Sequence, residues 1–414
     1  MKLRALPFIA FCVACLTNLS SARAEPDEDV LGKALGYPVG DPSTMYSEPN
    51  RVGSFSAADK SRPSRRVLKG GWTQPLNKRS GLDDTRYRLL DAQISSFLER
   101  NRTTGLLIIK DDKVLVERYR YGRTEESHFY SASASKSIVS LLIGIAIDRK
   151  IIASYDDTAD RYVPELKASA FGTTSIRNLL RMSSGVRFSE SVEPNRNPPS
   201  DFQIFSRVQR GVTPGKPLEF LARYSERDFP QGEKFEYITA NTAVLGYVLR
   251  NATGKTLADL TAEWLWGSLG AERDAFWLTT SDGMEEAGGG FNATLRDWGR
   301  LGVLLANDGK MNGVQVVPKQ FLFDATEISR QPPAFRPGYE GRPSAYGYQF
   351  WLYGYRSRTF TMSGAWGQRV FVQPASGLVM VHTGVWKSDV DAKAAAELNL
   401  LWDSVLRSAG GYPQ

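Results

Sequence analysis

Ser133 and Lys136 stand three residues apart, as Ser133-Ala134-Ser135-Lys136, the only Ser-x-x-Lys in the 414-residue chain. On a helix this spacing puts both side chains on one face, one turn apart. A serine hydroxyl is a weak nucleophile at neutral pH and needs an adjacent base. A lysine serves as that base when burial holds its pKa down. The uncharged run Ile138 to Ile147 follows directly and supplies the burial. A serine at the start of such a helix also offers its own backbone N–H to a developing oxyanion.

The scarce residues narrow the alternatives. The chain has two cysteines, Cys12 and Cys15, and two histidines, His128 and His382. That excludes a disulfide scaffold, a Cys/His zinc site and a cysteine nucleophile in the body of the chain. A Ser-His-Asp site would have only two candidate bases, and His128, five residues before Ser133, reads as structural. No Gly-x-Ser-x-Gly is present, so a nucleophile elbow is excluded. Gly254-Lys255-Thr256 lacks the first glycine of a phosphate loop, since position 249 is Leu249. Gly288-Gly289-Gly290 lacks dinucleotide-loop spacing and reads as a turn. The reading therefore carries no metal and no cofactor.

Ser133 and Lys136 need a scaffold. Leu106-Leu107-Ile108-Ile109 and Val114-Leu115-Val116 flank Asp111-Asp112, a hairpin pattern. Ile138 to Ile147 is apolar on every face, the mark of a buried helix too short to span a membrane. Ser175 is placed to cap a helix over residues 175–182. Residues 190–235, rich in Pro, Arg and Asp, read as long loops. Helical spacing returns over 240–268 and 294–307. Residues 346–353, 359–373 and 378–386 read as strands, and Ala392 to Leu406 as an amphipathic helix. The order predicts an α+β fold: an antiparallel sheet flanked by helices, with a helical subdomain inserted at about 150–280.

The ends suggest export. Lys2 and Arg4 precede the apolar run Ala5 to Leu16, and Ala22-Arg23-Ala24 supplies small residues at a cleavage position. Residues 1–24 read as a signal peptide cut after Ala24, which places the protein in the periplasm or outside the cell. The leader carries Lys2, Arg4 and Arg23 and no acid, so the charge falls from +7 to +4 on cleavage. That is weak for a nucleic-acid binder, and no nucleic acid or stable membrane insertion is expected. Residues 25–80 read as an irregular extension packed on the body that occupies 81–414. Within the extension Arg62, Arg65, Arg66 and Lys69 read as a solvated face or linker.

The segment Phe129 to Ser140, around Ser133 and Lys136, resembles the active-site segment of serine hydrolases of the β-lactamase/penicillin-binding-protein superfamily. It is closest to the class C-like esterase and amidase branch that includes 6-aminohexanoate-dimer hydrolases. Ser175 to Gly185 and Asn292 to Gly302 resemble two further segments of that family, in order, so the likeness covers roughly residues 85–410. It implies a β-lactamase/transpeptidase-like fold. It also implies a tyrosine element, matched by Tyr237, with Thr239 in place of the asparagine of Tyr-x-Asn. By the resemblance Tyr237 relays a proton, and the charge of Lys136 would hold it partly ionised. The third element is matched by Met362-Ser363-Gly364, which makes the N–H groups of Ser133 and Ala365 the oxyanion donors. Thr239, Ser363, Gly364 and Arg369 become substrate-binding candidates, Arg369 as a substitute for the family's lysine. His382-Thr383-Gly384 matches that element by residue type but falls on the next strand, after Pro374. Nylon-oligomer hydrolases carry a tyrosine where this chain reads Ser189-Glu190-Ser191-Val192.

Together these features predict an exported serine hydrolase that cleaves a small-molecule amide or ester through an acyl-serine. A D,D-peptidase, penicillin-binding protein or β-lactamase, and a non-catalytic binding protein on the same fold, are the alternatives. Oligomeric state is not legible.

Overall fold

The structure is a computed structural model that describes residues 24–78, 85–193, 196–336 and 345–411. Residues 1–23, which carry nearly all of the expected leader, lie outside the described residues.

The frame is an eight-stranded sheet. In chain order its strands are β2 (Asn77–Lys78), β3 (Thr103–Lys110), β4 (Lys113–Tyr119), β10 (Ala345–Tyr346), β11 (Trp351–Tyr353), β12 (Thr359–Gly364), β13 (Gln368–Gln373) and β14 (Leu378–Gly384). Their spatial order is β10-β11-β12-β13-β14-β3-β4-β2. Every pair is antiparallel except β2 with β4. A four-stranded antiparallel sheet, β1-β6-β7-β5, stands beside it, built from β1 (Ser64–Val67), β5 (His128–Tyr130), β6 (Ala275–Leu278) and β7 (Phe291–Thr294). A short hairpin joins β8 (Lys310–Met311) and β9 (Val314–Gln315).

The continuous apolar run of β3 has a direct cause: both faces of the sheet are covered. Successive strand side chains point to opposite faces. Leu106 and Ile108 pack with Phe371, Met380 and the helices Thr85–Arg100 and Ala392–Ala409. Leu107 and Ile109 pack on the other side with Val370, Val372, Val379 and Val381, under the helix Leu295–Ala306. That helix abuts β3, β13 and β14, where Gly299 and Gly302 leave no room for a Cβ.

Between β5 and β6 the described residues form helices joined by loops. The first α-helix, Ser135–Asp148, is buried from Ser135 to Ala146. The two serines inside it are satisfied, Ser137 by donating to the Gln349 carbonyl (2.6 Å) and Ser140 to the Tyr348 carbonyl (2.7 Å). Buried hydroxyls need such partners. Gln349 in turn donates to the carbonyls of Leu179 and Leu180 and accepts from Thr242, tying this helix to two others.

Two local expectations change. Residues 190–235 are not all loop: Asp201–Gln209 is a helix opened by a reciprocal capping box between Ser200 and Gln203, and Pro217–Leu221 is a second, short one. The capping residues outweigh the surrounding Pro and Asp. The basic stretch from Arg62 is strand rather than linker, with Arg62 buried and Arg66 and Lys69 on a solvated face. It forms β1 and its approach, and acids beside β6 neutralise it: Arg62 with Glu286 (2.6 Å), Arg65 with Glu285 (2.7 Å) and Arg66 with Asp274. Ser175 does cap its helix, accepting from the Asn178 amide.

Leu142 is fully buried in the helix that carries the site. Leu142→Ala is expected to cost about 2–5 kcal/mol, read as a lower midpoint in urea denaturation with an unchanged slope.

Candidate active site

Ser133 sits in the single turn Ala132–Ala134 that leads into the helix Ser135–Asp148. It stays partly exposed while residues 131–132 and 134–146 are buried, so one hydroxyl faces the cleft from an otherwise closed segment. Ala132 holds φ at +44°, a left-handed conformation that an alanine adopts only under constraint. The constraint comes from neighbours. The Ser131 amide donates to the Phe291 carbonyl (2.9 Å), and Ser135 Oγ donates to the carbonyls of Ala132 (3.1 Å) and Ala287 (3.2 Å).

Lys136 reaches back to Ser133. Its Nζ lies 2.9 Å from Ser133 Oγ and donates to the Gly288 carbonyl at 2.7 Å. Burial pulls the amine down to about 8, against the opposing influence of Glu190 and Glu286, so desolvation wins. The Gly288-Gly289-Gly290 turn is thus part of the site. A Cβ on Gly288 would meet Thr239 Cγ2 at 2.8 Å, and one on Gly290 the Glu286 carbonyl at 2.9 Å.

Tyr237 is half-buried between aromatic neighbours, stacked on Trp351 (centroids 5.9 Å, interplanar 19°) and edge-on to Tyr346 (6.1 Å). Its hydroxyl and that of Ser133 border the same cleft. The Lys136 ammonium position is 5.3 Å from the centre of its ring. The partly ionised tyrosine expected from the sequence does not hold. Burial pushes Tyr237 well above the ordinary phenol value, and the lowering influence of Ser133 offsets little of that. Tyr237 is a neutral phenol, and the lysine is the member of the pair brought toward neutrality.

The strand β12 ends on the opposite side of Ser133. Gly364 passes so close to the nucleophile turn that a Cβ there would stand 2.2 Å from the Ser131 carbonyl and 3.1 Å from the Ala134 amide. Ser363, Gly364 and Ala365 line the same cleft as Ser133, Lys136 and Tyr237. His382 does not line it. It lies on β14, fully buried, between Thr103 Oγ1 (Nε2, 2.9 Å) and the Gly367 carbonyl (Nδ1, 2.6 Å), and burial pushes it down to about 4. His128 binds the Asp274 carbonyl with Nε2 at 2.8 Å, at the end of the smaller sheet.

Two substrate-binding candidates turn out to be occupied within the protein. Thr239 donates its amide (3.0 Å) and its hydroxyl to the two carboxylate oxygens of Glu190. Arg369 spends Nη1 on the carbonyls of Gly364 and Gln368 (2.8 Å to the latter), bracing the turn after β12, and lies over the Trp386 ring. Its guanidinium still borders the cleft.

Besides the Gly288 turn, sequence reasoning missed two further contributors. Glu190 is half-buried in the cleft and pushed up to about 7, by desolvation first, with Thr239 and Lys136 opposing. The N-terminal segment forms a cleft wall: Tyr46 stacks on Trp366 (5.1 Å, 17°), Phe55 meets the same ring edge-on (5.4 Å), and the Tyr46 and Tyr130 hydroxyls are 3.0 Å apart. Arg51 anchors it by donating to the Trp386 carbonyl (2.7 Å). The cleft between these walls has a volume of about 1590 Å³. Among the described residues no group of three or more His, Cys, Asp or Glu could hold a metal ion, and no helix is long and apolar enough to cross a membrane.

A family model described as Beta-lactamase matches residues 90–401. The chain belongs to the beta-lactamase family. Over 362 residues it is 26% identical to a 6-aminohexanoate-dimer hydrolase of Paenarthrobacter ureafaciens, covering 86% of this chain and 90% of that one. Among solved structures it resembles a "putative 6-aminohexanoate-dimer hydrolase" from Bacillus anthracis (TM-score 0.76, 22% identity, 94% of this chain and 100% of that one). It also resembles a family VIII carboxylesterase (TM-score 0.57, 15% identity, 78% and 99%). This beta-lactamase-family chain is a serine hydrolase of the amidase and esterase kind, on the mixed α/β fold its sequence predicts.

The close approach at Gly364 yields a test. Gly364→Ala must separate β12 from the nucleophile turn, because the clash is with backbone. It is expected to lower kcat at least ~10-fold while shifting the thermal midpoint only a few degrees, measured by ester turnover beside calorimetry.

Proposed function

We propose that this protein is an exported hydrolase of small-molecule amides or esters that works through an acyl-enzyme on Ser133, with Lys136 as base and Tyr237 as acid. One observation carries the reading: a buried lysine amine, held near neutrality by desolvation, lies 2.9 Å from a serine hydroxyl that opens into a large cleft.

The chemistry follows from these positions. Ser133 Oγ attacks the substrate carbonyl carbon as its proton passes to Lys136 Nζ. The carbonyl oxygen gains negative charge and is held by the backbone N–H groups of Ser133 and Ala365. Tyr237, neutral and within reach of Ser133, gives its phenolic proton to the departing amine or alcohol and regains one from the Lys136 ammonium. Water then attacks the acyl carbon, gives up a proton to the same relay, and frees Ser133. No step calls on a metal or cofactor.

The substrate class rests on two supports. The 26% identical relative is named a 6-aminohexanoate-dimer hydrolase, which makes short oligomers of amino acids the first compounds to try. Position 239 is a threonine whose polar atoms are engaged by Glu190, so the substrate-facing amide implied there by the resemblance is missing. That disfavours β-lactams.

An ester, amide and β-lactam panel tests this. Ser133→Ala is expected to lose at least ~10³-fold in kcat/KM, Lys136→Ala ~10²–10⁴-fold and Tyr237→Phe ~10²-fold or more. Wild-type kcat/KM should rise with pH through about 8, because only the neutral amine accepts the serine proton. Activity retained in Ser133→Ala overturns the reading. Acylation by penicillin with no ester turnover favours a penicillin-binding protein instead.

Export is proposed from the leader pattern at residues 1–24. N-terminal sequencing of the protein from a periplasmic or culture fraction should begin at Glu25. An intact Met1 in the mature protein contradicts it.

A further inference from the structure

Glu190 is a carboxylate in the wrong place for a merely structural residue. It is half-buried in the cleft wall, where a charge without a counterion is costly. Both of its hydrogen bonds come from one neutral residue, Thr239, through its amide and its hydroxyl. Thr239 is the first residue of the helix Thr239–Thr253, so the carboxylate also sits at a helix N-terminus, which favours its charged form. The other acid near the lysine, Glu286, is already paired with Arg62 at 2.6 Å. The remaining neighbours of Lys136 bring no negative charge: Ser133, the Gly288 carbonyl and the neutral phenol of Tyr237, behind which stands Arg369. A Cβ on Gly288 would stand 2.8 Å from Thr239 Cγ2 and 3.6 Å from Lys136 Nζ, so Thr239 holds Glu190 on the lysine's side of the cleft, and among the described residues Glu190 has no cation paired with it.

We propose that Glu190 is a positioning residue for the charge on Lys136: its carboxylate, fixed by Thr239, stabilises the ammonium formed when Lys136 takes the Ser133 proton. The inference rests on Lys136 as the base. It also accounts for Thr239, since a threonine there supplies two donors to one carboxylate. The proton step is balanced within the site: the O–H bond of Ser133 breaks, the new N–H bond forms on Lys136, and Glu190 binds no proton in the step.

The direction of its influence is fixed by sign. A carboxylate favours the ammonium and raises the amine against the effect of burial. Removing the charge lowers the amine further and leaves the nascent ammonium uncompensated. For Glu190→Gln the acid limb of kcat/KM, measured on a neutral p-nitrophenyl ester, is expected to move about one pH unit lower. Its plateau kcat is expected to fall ~10-fold, with KM little changed. Glu190→Asp should return the limb toward wild type. Thr239→Val keeps the amide donor and removes the hydroxyl, so the limb should move the same way by less.

A limb that stays in place in Glu190→Gln while kcat falls overturns the assignment and leaves Glu190 a packing residue. A rise in KM alone makes it a substrate contact and overturns it equally. Should Glu190→Gln fail to fold, Thr239→Val decides by the same limb. Lys136→Ala in the same series separates this inference from the reading it rests on. Full activity there removes the lysine base altogether. Loss there with an unmoved limb in Glu190→Gln removes only the role of Glu190.

Discussion

The site depends on the desolvation of one amine. Lys136 lies at the start of a helix with no other charged side chain from Ser135 to Ile147, packed on all sides within the main core. A lysine in water is protonated at neutral pH and accepts nothing. Burial alone would silence it in the other direction by making its ammonium too costly to form. The protein balances the two: the Gly288 carbonyl and nearby carboxylates recover part of the lost solvation, and the amine stays poised near neutrality. Removing the apolar helix or the acids would each tip that balance.

The rest of the fold holds partners around this amine. The large sheet brings the end of β12 against the nucleophile turn, where only glycine fits at position 364. The smaller sheet and the glycine turn before β7 supply the carbonyl under Lys136. The chain between β5 and β6 brings Tyr237, Thr239 and Glu190 to the cleft, Thr239 as the first residue of the helix Thr239–Thr253 and the other two on loops. The N-terminal segment closes the cleft by stacking Tyr46 on Trp366, next to Ala365. Sites assembled from several elements need such bracing, since small displacements of a reacting group cost large factors in rate.

Much of this was readable from the residues. Ser133-x-x-Lys136 and the apolar run behind it carry their own signal, because spacing and burial are both written in the sequence. The alternating packing of β3 and the Ser175 cap follow from equally local rules. Gly288 was opaque because its contribution is a backbone oxygen, which has no residue signature. Glu190 was opaque because a single acid in a polar loop resembles any solvated one until the fold buries it. The ionisation of Tyr237 was misjudged for a related reason: proximity to Lys136 suggested a charge effect, and the aromatic cage that desolvates the phenol comes from Trp351 and Tyr346, more than a hundred residues away. The helix Asp201–Gln209 was hidden among prolines, although its capping pair Ser200 and Gln203 was in view.

The central claim is that Lys136 is a desolvated amine free to accept a proton near neutral pH. Its most direct test is the pH titration of the folded protein labelled with carbon-13 at the lysine Cε, with Lys136 assigned by the resonance missing from Lys136→Ala. The account predicts one lysine with a midpoint at about 8, well below the ordinary value of 10.5. A Lys136 resonance that titrates at the ordinary lysine value in the folded protein would contradict it.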